Sequence, residues 1–66
     1  MTYPTPAQIL AARKAAGLTQ AQAARLLELP TPRWNEYERG KVRMSRQMWR
    51  LFLLLVGQAD LPDHLR

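Results

Sequence analysis

Cysteine is absent from the 66-residue chain, which excludes a disulfide framework and any thiolate metal site and fits a reducing compartment, the cytoplasm by default. Long apolar runs are missing as well. The most apolar stretch, Leu51 to Val56, falls far short of the ~20 residues a membrane span requires, and no basic start followed by an apolar segment suggests a signal peptide. A soluble chain with no membrane partner is expected. Histidine occurs once, as His64 in the tail, and no carboxylates converge beside it, so neither a metal centre nor an acid–base pair has material to be built from. Gly40-Lys41 lacks the rest of a phosphate-binding loop. No enzyme activity, metal or cofactor is expected.

Acidic side chains are also few: five Asp and Glu stand against ten Lys and Arg, for a net charge of +5. Placement matters more than the total. Arg33, Arg39, Lys41, Arg43, Arg46 and Arg50 crowd one stretch that only Glu36 and Glu38 oppose, whereas the tail holds Asp60 and Asp63. A local basic patch attracts polyanions, although charge alone is more often the mark of a solvated face.

With 47% hydrophobic residues, the chain is one domain at the small end of what buries its own core, which leaves room for help from a partner subunit. Thr5-Pro6-Ala7-Gln8 places a capping hydroxyl, a first-turn proline and a glutamine that closes a capping box, predicting a helix over 6–16 that Gly17 ends. Ile9, Leu10, Arg13 and Ala16 share one side of it. Thr19-Gln20-Ala21-Gln22 repeats the pattern and opens a second helix with Ala23, Ala24 and Leu27 inside. Two alanines there permit a close helix crossing. Pro30 and Pro32 interrupt the helical pattern, so a third helix begins near Thr31 and stops at Gly40; Ser45 caps a fourth over 46–56, with Gly57 as its stop. The expected fold is all-α, a compact bundle of four to five helices. Residues 1–57 form the domain and 58–66 a tail available for dimerisation.

The run Leu18-Thr19-Gln20, Ala24, Leu27, Leu29, Trp34 and Tyr37-Glu38-Arg39-Gly40-Lys41 resembles the Cro/repressor-type (XRE-like) helix-turn-helix family of small phage and bacterial transcriptional regulators, with its lambda-repressor-like DNA-binding fold. The resemblance spans helices 1 to 4. It implies that helix 3 lies in the major groove of double-stranded DNA while helix 2 crosses the backbone above it. At about 100° per residue, Trp34, Tyr37 and Glu38 share one side of helix 3, and Pro32, Asn35, Glu36 and Arg39 lie opposite. The aromatics are read as core and the polar side as the reading face. Two positions depart from the family pattern. Glu28 stands where the turn often has glycine, so a residue without glycine's freedom is expected to adopt an unusual backbone conformation. Pro30 and Pro32 remove backbone donors at the start of helix 3, and Pro32 offers a base only apolar contact.

Thr31, Pro32, Arg33, Asn35, Glu36 and Arg39 are the candidates for base contact. Arginine suits guanine, asparagine adenine, and glutamate the cytosine amino group. The resemblance assigns Gln20, Lys41, Arg43 and Arg46 to sugar-phosphate, contacts that set register without reading sequence. Arg50 is left to the helix 4 surface. The resemblance also implies that Arg13 and Glu38 form a structural ion pair rather than touching DNA.

Met48, Trp49 and the run Leu51 to Val56 leave helix 4 apolar almost all round, more than one core-facing stripe uses. A homodimer is expected, with Trp49, Leu53, Leu54, Val56, Leu61 and Leu65 at the interface and recognition helices about 34 Å apart on a palindromic operator. The leading function is a repressor of its own operon. A protein-interaction module, such as an antitoxin or inhibitor subunit, is the alternative from another class, and RNA binding ranks last for want of an exposed stacking platform.

Overall fold

The computed structural model describes residues 3–57. It is all-α, with α1 (Pro6–Ala15), α2 (Gln20–Leu26), α3 (Thr31–Arg39) and α4 (Arg46–Leu55) in order and no strand among the described residues. Helices 1 and 4 each stop one residue before the expected end, because Ala16 and Val56 serve as their C-caps. The tail 58–66, with Leu61, Leu65 and any fifth helix, lies outside the described residues.

Three starts are set by side chains next to them in sequence. Thr5 accepts from the Gln8 N–H at 3.1 Å while the Gln8 side chain accepts from the Thr5 N–H at 2.8 Å. Thr19 and Gln22 repeat this box at 3.1 and 2.9 Å, and the Ser45 hydroxyl accepts from the Met48 N–H at 3.1 Å. Each such cap contributes about 1 kcal/mol. The exception is α3, whose N-cap is Pro30 and which has no side-chain cap.

Helices α1, α2 and α3 end in one way. The N–H of Leu18 reaches the Arg13 carbonyl, that of Leu29 reaches Ala24, and that of Lys41 reaches Glu36, at 3.2, 2.9 and 3.0 Å. Each bond spans a residue in the left-handed conformation, which is the Schellman closure. Gly40, at φ 77°, is the usual solution; Glu28, at φ 56°, is the one non-glycine residue among those described to take it. The unusual conformation expected at Glu28 is therefore present, at a cost of about 1–2 kcal/mol.

These closures fold the four helices around Trp34, Phe52, Ile9 and Met44, all essentially without solvent exposure. The Trp34 and Phe52 rings lie 4.9 Å apart, and Tyr37 meets Trp34 edge-on at 6.4 Å. Trimming Trp34 to alanine would cost ~3–5 kcal/mol at such a site. Ala23 and Ala24 of α2 are buried, and α2 packs against α3, a close approach that their small size permits. On α1 the burial centres on Ile9 and Ala12, with Leu10, Arg13 and Ala16 half-buried. Met44 belongs to no helix, yet it is fully buried from the α3–α4 loop.

Candidate nucleic-acid interface

The inward side of α3 is held by a polar network centred on Glu38. Arg13 of α1 donates through Nε to Glu38 Oε2 at 2.6 Å and through Nη2 to Oε1 at 3.2 Å. A third arginine bond, to the Leu18 carbonyl at 2.9 Å, ties the same guanidinium to the end of α1. Gln20 of α2 donates to Glu38 Oε1 at 3.0 Å, and the Trp34 indole N–H donates to Oε2. The two charged side chains are only 14% and 7% exposed, so the ion pair is a built-in brace between helices. Burial by itself raises the pKa of Glu38, but the hydrogen bonds from Arg13, Gln20 and Trp34, with the arginine charge, outweigh it and hold the carboxyl below its ordinary 4.5.

Gln20 has a second bond. Its carbonyl oxygen accepts from the Asn35 amide at 3.4 Å, so one side chain at the start of α2 touches both the anchored side of α3 and its outward side. Asn35 is half-buried and oriented by that contact, whereas Thr31, Pro32, Arg33 and Arg39 are exposed. Arg33 and Glu36 face each other in an i,i+3 ion pair of 3.3 Å, with side chains 46% and 39% exposed. A pair this open contributes about 0–1 kcal/mol and separates readily when a better partner docks.

Beyond α3, Lys41 and Arg43 project from the loop and are exposed; Arg46 opens α4 and is half-buried. Residues 3–57 hold nine of the ten basic side chains and only Glu28, Glu36 and Glu38 as acids. Two of those acids are already engaged by Arg13 and Arg33. Arg39 and Lys41 have no acidic partner within ion-pair distance among the described residues. The surface from the outward side of α3 into the loop is therefore polar and cationic.

Tyr3 also belongs to this region, and sequence reasoning missed it. The guanidinium carbons of Arg43 and Arg46 lie 4.5 and 5.1 Å from the centre of its ring. No local pattern links an aromatic before the first helix to cations after the third.

A family model for the helix-turn-helix domain matches residues 7–65. The chain belongs to that family. A comparison with curated proteins gives no match. In this helix-turn-helix protein a short turn through Glu28 joins α2 to α3. Among the described residues no group of His, Asp or Glu is arranged to hold a metal, and no helix is long and apolar enough to cross a membrane.

The residues expected at a dimer interface divide. Trp49, Leu53 and Val56 pack partly against the chain's own core, and Trp49 stacks near Phe52 at 6.4 Å. Helix 4 is thus less surplus than its composition suggests. The apolar groups left most open are Leu51 and Leu55, 45% and 51% exposed, with Leu54 half-buried beside them. Spaced i, i+3, i+4, these three form a second stripe on α4.

Proposed function

We propose that this helix-turn-helix protein is a sequence-specific transcriptional repressor that acts on its own operon, binding a palindromic operator as a homodimer with α3 in the major groove. The supporting observation is the split of α3 itself: an inner side locked to α1 and α2 through Glu38, and an outer polar side that runs into exposed cations. A rigid reading helix with a flanking phosphate-binding loop is what base recognition requires, since loosely held side chains discriminate poorly.

On this reading Thr31, Pro32, Arg33, Asn35, Glu36 and Arg39 meet base edges or their immediate surroundings, and Gln20, Lys41, Arg43 and Arg46 meet sugar-phosphate. Docking exchanges the weak Arg33–Glu36 pair for bonds to bases, guanine for the arginine and the cytosine amino group for the glutamate. The Leu51–Leu55 stripe supplies the two-fold contact that sets the recognition helices about one DNA turn apart. Repression follows from occupying the promoter, and the site of action is the cytoplasm, at the nucleoid.

Selection of bound sites from random duplex DNA tests this directly. An enriched two-fold symmetric motif with half-sites about 10 base pairs apart is expected. Recovery of no motif, with affinity no better than that of any cationic protein, would overturn the proposal.

A further inference from the structure

We infer that Tyr3 is a positioning residue of the phosphate-contact surface, its ring holding the Arg43 and Arg46 guanidinium groups together; this rests on the DNA-binding reading above. Both guanidinium carbons lie within the ~6 Å of a ring centre at which the aromatic quadrupole attracts a cation. Two like charges gathered at one ring repel each other. Left in water, the long arginine side chains would gain both distance and rotamer freedom by separating. The ring opposes both tendencies, keeping the loop cation and the α4 cation side by side where an anionic backbone can meet them together.

The ring can act in this way because its own backbone is tied down. Pro4, next to it, is buried. Thr5, one residue further, closes the capping box of α1 in both directions, and the side chain of Pro6 reaches Gly40, where an added Cβ would lie 3.3 Å from its Cγ. The arm therefore enters α1 against the end of α3 and brings Tyr3 to the following loop. Tyr3 itself is 41% exposed, so its ring is spent on the arginines rather than on the core.

The test is a mutant cycle on the full chain, read as duplex affinity by fluorescence anisotropy. Tyr3→Leu keeps apolar bulk but removes the ring, and should weaken binding to all duplexes alike by up to about 5- to 30-fold, the scale of two partly exposed cation–ring contacts. Tyr3→Phe should stay within about twofold of the parent. In a chain already carrying Arg43→Ala and Arg46→Ala, Tyr3→Leu should cause no further loss, because the ring has nothing left to hold. An equal loss in both backgrounds, or a Phe variant as weak as the Leu variant, overturns the inference. Heparin serves as a second polyanion for the same cycle. A parent protein that shows no preference for duplex over heparin sinks the DNA reading, while the coupling of Tyr3 to the arginines is still measured on heparin.

Discussion

The carboxylate of Glu38 receives hydrogen bonds from α1, α2 and α3, so one ionised side chain joins three helices and, on the proposed function, fixes the side of α3 that reads DNA. Removing one partner of a fully buried pair costs about 3–5 kcal/mol, so this part-buried one costs somewhat less, still a large share of the roughly 5–15 that holds a domain folded. Loss of DNA binding on substitution of Arg13 or Glu38 thus reports folding. Because the folded-state pKa of Glu38 lies below its ordinary 4.5, its contribution is present above that value and is lost as pH falls through the lower, folded value. Urea unfolding between about pH 6 and pH 2.5 should show the parent losing stability in that acid window. Glu38→Gln, which has no charge to lose, should begin less stable, and its deficit should shrink as the pH is lowered. A deficit constant with pH would show that the charge of Glu38 is not what stabilises the fold.

Within α3, the division into a buried side and an outward side was legible from helical spacing, and Trp34 and Tyr37 are core as that spacing requires. Side-chain partners on the outward side were not. Asn35 turns toward Gln20 and Arg33 toward Glu36, choices made by which neighbour is within reach once α2 and α3 have crossed. Base-reading and phosphate-binding residues should fail differently when cut to alanine. Asn35→Ala is expected to cost ~1–3 kcal/mol on the preferred site and to relax choice at one symmetric pair of positions. Lys41→Ala should weaken all sequences alike and flatten the slope of log affinity against log salt by about one unit. Affinity and preference both unchanged in a folded Asn35→Ala protein would remove that residue from the reading surface; an unchanged salt slope would remove Lys41 from the phosphate contacts.

For the whole molecule, the decisive feature is the α4 stripe. A domain of this size buries a modest share of its apolar surface alone, and Leu51 and Leu55 stay about half exposed. Leu51→Glu with Leu55→Glu alters positions outside the core, so helical circular dichroism should be retained while self-association is lost. Sedimentation equilibrium at tens-of-micromolar concentration should then give a dimer for the parent and a monomer for the variant, with a matching loss of affinity for a full palindrome and little loss for a half-site. A parent that stays monomeric both free and on DNA would exclude the two-fold arrangement.

The sequence by itself determined where helices start and, to within a residue, where they stop, because capping boxes, first-turn prolines and left-handed closures act between residues a few positions apart. It placed α3 from near Thr31 to Gly40, against an observed Thr31–Arg39 with Gly40 as the C-cap, while the resemblance to a family marked Glu28 as the turn residue without glycine's freedom. The tertiary structure alone decided what those helices hold between them. Arg13 and Glu38 are 25 residues apart and Gln20 and Glu38 are 18 apart, and the resemblance to a family, not any local pattern, pointed to the first of these pairs. Met44 enters the core from a loop, and Tyr3 meets arginines from the far side of α3. Helical periodicity reports only which residues share a face; which faces meet, and which side chains then come within bonding distance, depends on crossing geometry set by the packing of Trp34, Phe52 and the two alanines of α2.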